Sequence, residues 1–198
     1  MTVTNVQNTR DHMLERACEA FARHGFQAIS LRDLATYIGI KAGSIYHHID
    51  SKQSLLYELM EDAISDLLYH TRLNLRRQAQ AHNRLDSFID SFLAFKHHAP
   101  NRIHLLAREQ ISLTDDQSNE FNGLKNEYTQ ILSGIIKDLV KTTHLQPLAL
   151  SMAADTVIGM LFSQTQWLNL DMSEQQQSPL LKRFAHGIIA AIDISKLD

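Results

Sequence analysis

The feature that most constrains the fold of this sequence is residues 30–52, where two short amphipathic segments flank a glycine. Ser30 followed three residues later by Asp33 is a capping-box pattern, and it predicts the start of a short helix. Gly39 ends that helix and makes a turn, after which a second short helix is predicted over residues 42–48. The stretch therefore predicts a helix-turn-helix, in which two short helices are held at an angle by a tight turn.

The rest of the chain also has the pattern of helices. Only three prolines and seven glycines occur in 198 residues, and no segment shows the sustained alternation of a strand. Ser51 is placed to cap a long helix, and Ser178 followed by Pro179 marks the start of the last one. The predicted helices cover residues 9–24, 31–38, 42–48, 52–80, 85–97, 100–111, 119–141, 147–167 and 178–194, with loops at 112–118 and 169–177.

We therefore expect an all-α protein of about nine helices. Its N-terminal three-helix head, residues 1–51, contains the helix-turn-helix, and residues 52–198 form a larger helical domain. The predicted helix over residues 147–167 is apolar nearly all round. Such a helix has to be buried on most sides, which favours a partner chain for a protein of this size.

The sequence predicts a cytoplasmic protein with no membrane partner. No apolar run approaches the roughly 18 residues that span a bilayer, and residues 1–9 lack the apolar core of a signal peptide. Cys18 is the only cysteine, so an intramolecular disulfide is impossible, which suits a reducing compartment. Because Cys18 lies on the apolar stripe of the first helix, we expect a buried small hydrophobe rather than a reactive thiol.

No motif of an enzyme is present. The chain has no nucleophile elbow, no HExxH pair and no phosphate-binding loop, so we expect no catalysis and no cofactor. Eleven histidines invite a metal hypothesis. However, His97, His98 and His104 do not have the spacing of ligands on one helical turn, and no Cys, Asp or Glu completes the set. The sequence therefore predicts no metal site.

Double-stranded DNA is the partner that a helix-turn-helix favours. Residues 1–55 carry a small excess of basic side chains, although the whole chain has a net charge of −3. The first turn of a recognition helix approaches the bases, and the next turn reaches phosphates or base edges. The residues in these places are Lys41, Ala42, Gly43 and Ser44 in the first turn, followed by Tyr46 and His47.

Phosphate contacts are predicted on both sides of this helix. The helix that begins at Lys52 offers free backbone N–H groups, the positive end of its dipole and a lysine side chain. Arg32 and Ser30 would contact the phosphates on the opposite side of the major groove. Ser30 and Ser51 also act as helix caps whether or not DNA is bound. Tyr46 has packing as an alternative role, and His48 is expected to pack inward.

Residues 13–59 resemble the DNA-binding head of TetR-type (tetracycline-repressor family) transcriptional regulators. The resemblance implies an all-α homodimer with a three-helix head, an effector and dimerisation domain over residues 52–198, and repression that ends when a small ligand moves the two heads apart. It rests on Phe21 with Gly25-Phe26, Ser30-Leu-Arg-Asp-Leu-Ala, Gly39-Ile40, Ala42-Gly-Ser-Ile-Tyr-His-His, and Ser51-Lys52 with Leu55.

Two positions depart from the family pattern. Lys41 stands where the family often has a serine or threonine that caps the recognition helix, so a hydroxyl contact is lost and a charged one can replace it. Ile49 replaces the usual phenylalanine. We expect this change to preserve a buried apolar side chain but to loosen the packing of the recognition helix.

The candidates for an effector pocket are apolar and aromatic residues with a few polar ones among them, as small-molecule sites require. Each of them also fits the interpretation of plain core packing. His104 and Arg108 share a helical face and could hold a carboxylate or phenolate, or be a solvated pair, while Asp155 is a lone acid in an apolar helix. The full set is Phe92, Phe95, His104, Arg108, Phe121, Tyr128, Met152, Asp155, Met160 and Trp167.

These observations predict a homodimeric repressor that binds a near-palindromic operator, pairs through its last two helices and is released by a small, largely apolar effector. Two alternatives stay open at this stage. One is a ligand-independent architectural DNA-binding protein of the same fold. The other is an all-α enzyme or binding protein whose helix-turn-helix is vestigial.

Overall fold

A computed structural model describes residues 3–140, 146–163 and 174–192. Within these ranges the chain forms nine α-helices and one 3₁₀ segment, and no strand, which confirms the predicted all-α fold. The helices are α1 (Val3–His24), α2 (Leu31–Ile38), α3 (Ala42–Ile45), α4 (Lys52–Leu75), α5 (Ala81–His98), α6 (Pro100–Arg108), the 3₁₀ segment Glu109–Ser112, α7 (Asp115–Val140), α8 (Pro147–Ser163) and α9 (Glu174–Ile192).

The described residues fall into two compact units. The first contains the residues up to 64 together with residues 99–121, and the second contains residues 65–98 and those from 122 onward. The predicted division of the chain into residues 1–51 and 52–198 was drawn by expected function, and it stays a prediction. None of the helices in the described ranges is apolar over a length that could cross a bilayer.

In the first unit α1 packs against α2 and α6. The apolar stripe of α1 supplies Met13, Ala17 and Phe21, all buried. The ring of Phe21 meets Phe26 edge-on, with 5.3 Å between centroids. Leu34 and Ile45 bury the inner faces of α2 and α3, so the helix-turn-helix rests on the same core.

Cys18 belongs to this core, as predicted. Its side chain is buried, and burial raises the pKa of the thiol to about 11, with the nearby Arg102 acting in the opposite direction. A thiol with this pKa is almost wholly protonated near neutral pH and is therefore a poor nucleophile.

In the second unit α9 packs against both α5 and α8. The core includes Phe88, Phe92 and Leu161, which are fully buried. The ring of Phe88 lies 4.8 Å from that of Tyr128 on α7, and Phe92 meets Phe162 on α8 at 5.0 Å. These aromatic pairs join three helices of the unit, α5, α7 and α8.

Several predicted helix ends were wrong. The first helix begins at Val3 rather than at residue 9, and α4 ends at Leu75 rather than near residue 80. The helix expected from residue 119 begins at Asp115 because Thr114 and Gln117 form reciprocal side-chain to backbone hydrogen bonds of 3.2 and 3.3 Å, a capping box that the prediction missed.

The last helix begins at Glu174, so Pro179 lies inside it and not at its first position. The prediction took Ser178 and Pro179 as the strongest start signal. The glutamines before them have a high helix propensity, and a proline so near the N-terminus interrupts little of the hydrogen-bond ladder. The part of the predicted loop from residue 174 to 177 is therefore helical.

Candidate nucleic-acid interface

The start of α2 is fixed by its predicted cap. The Ser30 hydroxyl accepts from the backbone N–H of Asp33 at 3.2 Å, and the Asp33 carboxylate accepts from the Ser30 N–H at 3.0 Å. The Ser30 hydroxyl also donates to the Asp33 carboxylate at 2.5 Å, and this bond, followed by the one from the backbone N–H, holds the pKa of Asp33 below its usual value. The capping box predicted from sequence is confirmed.

The turn after α2 is made by Gly39 as predicted. Its φ of 87° is in the left-handed region, and its N–H reaches the carbonyl oxygens of Ala35 and Thr36. Nothing lies within 4 Å of where a Cβ would stand. The glycine is therefore required by backbone conformation and not by crowding.

The recognition helix is shorter than predicted. α3 ends at Ile45, and the next backbone N–H groups, of His47 and His48, bond to carbonyls three residues back, at 3.2 and 3.0 Å. Lys41 occupies the N-cap position and makes no side-chain cap bond. Without a cap and with four helical residues only, the segment tightens from α-helical to 3₁₀ geometry.

All nine residues predicted to touch DNA lie outside the core. Tyr46 is 63% exposed, and Ile45 and Ile49 are buried on either side of it. The expectation that His48 packs inward was wrong: α3 ends at Ile45, and His48 lies exposed in the turn that follows. Among the predicted residues, Ser30, Arg32, Lys41, Gly43, Tyr46 and His47 are exposed, and Ala42, Ser44 and Lys52 are half-buried.

Lys52 was predicted to offer its side chain to phosphate, but in the structure it is half-buried and packs against the protein. Its Nζ lies 4.2 Å from the centroid of the Phe26 ring, a cation–π contact. Burial lowers the pKa of Lys52, and the charge of Glu109 opposes this. The start of α4 is capped as predicted, since Ser51 Oγ accepts from the Ser54 N–H at 2.9 Å.

A buried carboxylate stands behind this surface. Glu109 is only 4% exposed, and its Oε1 accepts a hydrogen bond of 3.1 Å from the backbone N–H of Phe26. Its Oε2 accepts from the Ser112 hydroxyl at 3.0 Å, and the Arg108 Nε lies 3.7 Å from Oε1. Sequence reasoning missed Glu109 because its principal partner is 83 positions away and no local motif marks it.

A second connection reaches the same part of the unit. The Gln53 amide donates 2.8 Å hydrogen bonds to the Ser112 carbonyl and to the Gln117 side chain. The first turn of α4 is thus joined to the segment that follows α6. Together with the hydrogen bond from Phe26 to Glu109, these contacts connect the loop after α1 and the start of α4 to the segment that follows α6.

Gly25 completes the arrangement. Its φ of 85° ends α1 in the left-handed conformation, and a Cβ at this position would lie 3.0 Å from an Arg108 nitrogen. Glycine is therefore required twice here, by its backbone angle and by the closeness of the guanidinium.

The predicted effector residues are dispersed. His104 and Arg108 are exposed in the first unit, where Phe121 is buried, and the Arg108 guanidinium is next to Glu109 rather than in a cavity. In the second unit Phe92, Phe95 and Tyr128 are buried, Met160 is half-buried, and Met152 and Asp155 are exposed on α8. Trp167 lies outside the described residues.

Tyr128 has the most informative surroundings of these residues. Its hydroxyl and that of Thr71 on α4 are both buried and lie close to each other, and no other described residue offers either of them a hydrogen bond. Burial raises the pKa of Tyr128, and the Thr71 hydroxyl beside it acts in the opposite direction. The pair has no further partner in an apolar interior, so a polar ligand group placed beside it would be stabilising.

Two open grooves run along the second unit, with volumes of about 370 and 560 Å³. No predicted effector residue lines either of them. Both are lined by Arg72 and Arg76, and the larger also by Arg84. The sequence analysis did not single out these arginines, because their convergence depends on the packing of α4 beside α7.

Two models of known protein families match this chain. The model for bacterial regulatory proteins of the tetR family matches residues 13–59, and that for the tetracyclin repressor-like C-terminal domain matches residues 78–171. The first match coincides with the segment from which the sequence resemblance was drawn. The second covers helices that sequence patterns alone did not assign to a family.

Two curated repressors are similar to parts of the chain. The HTH-type transcriptional repressor KstR2 of Rhodococcus jostii is 28% identical over 137 residues, which are 65% of this chain and 66% of that protein. KstR2 of Mycobacterium tuberculosis is 36% identical over 94 residues, 47% of each protein. The aligned stretch thus spans between about half and just under two thirds of these curated relatives.

Solved structures share the fold. The structure of the ketosteroid transcriptional regulator KstR2 of Mycobacterium tuberculosis has a TM-score of 0.77 at 18% identity, covering 92% of this chain and 93% of that one. AibR, solved in complex with isovaleryl coenzyme A and operator DNA, has a TM-score of 0.76 at 17% identity, covering 92% and 97%.

The buried carboxylate generates a stability prediction. Glu109→Ala leaves the Phe26 N–H and the Ser112 hydroxyl without an acceptor, and we expect it to lower the free energy of unfolding by about 2–3 kcal/mol. Glu109→Gln keeps an oxygen acceptor and should lose less. Urea unfolding followed by circular dichroism measures both.

Glu15→Ala is the matched control, because Glu15 is an exposed carboxylate on α1. It should change stability by no more than about 0.5 kcal/mol. If Glu109→Ala were no less stable than Glu15→Ala, the central role given to Glu109 would be wrong.

Proposed function

This chain belongs to the TetR family of transcriptional regulators, and on that basis we propose that it is a homodimeric, cytoplasmic repressor, without catalytic activity, that leaves its operator when a small effector binds. The observation that carries the proposal is the exposed polar surface of residues 30–52 on a capped, buried scaffold. The family matches over residues 13–59 and 78–171 support it.

The proposed DNA surface divides into two kinds of contact. Lys41, Gly43 and Ser44 are at the start of α3, where small or polar side chains approach the base edges of the major groove. Phosphates would be held by Arg32, by Ser30 and by the backbone N–H groups at the start of α4. Because Lys52 lies against Phe26, its ammonium adds charge to that site while its side chain stays packed.

Two substitutions distinguish the proposed phosphate contacts from the proposed base contacts. Arg32→Ala should weaken binding to all sequences and reduce the slope of log K against log salt by about 1, as expected for one lost phosphate contact. Lys41→Ala should cost about 1–3 kcal/mol and relax the preference at one base position. Fluorescence anisotropy across a salt series, on genomic fragments selected with the purified protein, measures both.

Arg23→Ala is the control, since Arg23 is exposed at the end of α1 and pairs with Glu19. We expect wild-type binding from it. Affinity that does not change with salt in the wild type would contradict the phosphate contacts and would favour a vestigial helix-turn-helix.

An apolar surface supports the homodimer. Leu148 and Met152 on α8 are 71% and 60% exposed, and Phe184 on α9 is 56% exposed. Gly159 and Gly187 lie on the same two helices, and nothing stands within 4 Å of where their Cβ atoms would be. Exposed apolar side chains beside small residues favour close packing against a second copy of these helices.

Phe184→Asp tests this interface. We expect the wild type to sediment as a dimer at micromolar concentration and the variant to sediment as a monomer, because the carboxylate would be buried without a partner. Tyr69→Asp changes an equally exposed aromatic residue on α4 and should stay dimeric. A monomeric wild type at micromolar concentration would overturn the proposed dimer.

The buried hydroxyl pair of Thr71 and Tyr128, which has no further partner among the described residues, supports an effector site in the second unit. They are surrounded by apolar side chains such as Phe88, so the effector would be largely apolar with at least one hydrogen-bonding group. AibR was solved with isovaleryl coenzyme A. Acyl thioesters of coenzyme A are the first class to test, because their phosphates could bind Arg76 and exchange with the carboxylates of Glu127 and Asp138, which pair with Arg72 and Arg84.

Isovaleryl coenzyme A should raise the melting temperature of the protein and release it from selected DNA. Tyr128→Phe should weaken this effect about tenfold, the value of one lost hydrogen bond. Tyr57→Phe removes a hydroxyl in the first unit and should leave the effect unchanged. If neither acyl thioesters nor a panel of apolar molecules changes stability or DNA affinity, the ligand-independent architectural protein becomes the better hypothesis.

A further inference from the structure

A polar ladder joins α5 to α9 in the second unit. On α5 it consists of His82, Asp86 and Asp90, each four residues from the next, so all three lie on one face. On α9 the corresponding face carries Ser178, Lys182 and His186 at the same spacing. We refer to these six residues as the ladder.

One end of the ladder is an ordinary ion pair. The Asp90 carboxylate accepts from Lys182 Nζ at 2.7 Å with one oxygen and from the Ser178 hydroxyl at 2.9 Å with the other. Both oxygens therefore have partners within the ladder, and the charge of Lys182 is matched by Asp90.

The other end is different. His186 Nε2 lies 3.0 Å from Asp86 Oδ1, and the rings of His82 and His186 stack with centroids 4.2 Å apart and planes 25° from parallel. Each of the three residues offers one ligand atom, and these atoms all lie within 4.8 Å of one another. Two imidazoles and a carboxylate thus converge on one point at the surface.

We propose that His82, Asp86 and His186 bind a divalent transition-metal ion of the Zn²⁺ class. Imidazole nitrogens and a carboxylate oxygen are ligands that Zn²⁺ accepts, whereas Ca²⁺ and Mg²⁺ prefer oxygen alone. Three protein ligands leave the fourth position of a tetrahedral site to water. An ion here would tie α5 to α9 in a way that the hydrogen bond between Asp86 and His186 does only weakly.

The geometry requires little movement. Ligand atoms around tetrahedral Zn²⁺ stand about 3.3 Å apart, given Zn–N distances of about 2.0 Å. His82 is exposed in the first turn of α5, so its ring can rotate toward the other two without disturbing the core. Asp86 and His186 are already at hydrogen-bond distance.

This proposal differs from the expectation, drawn from the sequence, that the chain has no metal site. That prediction considered histidines close in sequence, such as His97 and His98. The ligands found here include an i, i+4 pair of a histidine and an aspartate, and a histidine 100 positions later. Only the packing of α9 on α5 brings them together.

The test uses the full chain, purified without a histidine tag and treated with a chelator. Zn²⁺ is titrated in competition with a chromophoric indicator, and the visible spectrum of Co²⁺ provides a second readout of nitrogen and oxygen ligation. We expect one tightly bound ion per chain. His82→Asn, Asp86→Asn and His186→Asn should each weaken binding tenfold or more and abolish the Co²⁺ spectrum.

His97→Asn is the matched control, because it removes an exposed histidine from the same helix. It should bind as the wild type does, and circular dichroism should show that all four variants are folded. Binding that is equally strong in the wild type and the three ligand variants would overturn the proposal, as would Co²⁺ spectra that the substitutions do not change.

Discussion

The arrangement of the first unit depends on the buried carboxylate of Glu109. A charge in the interior is costly unless hydrogen bonds and opposite charges surround it. Glu109 satisfies this by taking the Phe26 N–H and the Ser112 hydroxyl while Arg108 and Lys52 supply positive charge nearby. Because Glu109 accepts from Phe26, which follows α1, and Lys52 at the start of α4 lies over the Phe26 ring, the carboxylate is linked directly to the loop before the helix-turn-helix and through Phe26 to the helix after it.

This constraint changes the chemistry of the proposed DNA surface. A lysine at a helix N-terminus is expected to reach freely toward phosphate, but Lys52 is held over the ring of Phe26. The proposed phosphate site at the start of α4 would therefore depend more on backbone N–H groups, which do not have to be ordered on binding. Among the residues predicted to touch DNA, Arg32 and Lys41 are the exposed lysine and arginine side chains, and the proposal assigns the sequence-dependent part of binding chiefly to Lys41.

Sequence reasoning succeeded where a structural feature depends on neighbouring residues. The capping box of Ser30 and Asp33, the left-handed Gly39 and the burial of Cys18 all follow from local patterns, and each is confirmed. It failed where remote residues decide. Glu109, the Thr71 and Tyr128 pair and the ladder of α5 and α9 join positions that no motif connects, and the start of α9 was misplaced because one strong local signal outweighed the glutamines before it.

The faces of α9 show how one helix can serve two interactions without conflict. Leu181, Ala185 and Ile189 form its buried stripe, the ladder residue His186 faces α5, and Phe184 faces solvent. Residues 184 and 186 differ by two positions, which is about 200° around a helix. A metal ion bound at the ladder would therefore stiffen α9 from one side while the opposite side stays available to a second chain. The helix that sequence analysis took only as a dimerisation element thus has the geometry to be held on two faces at once.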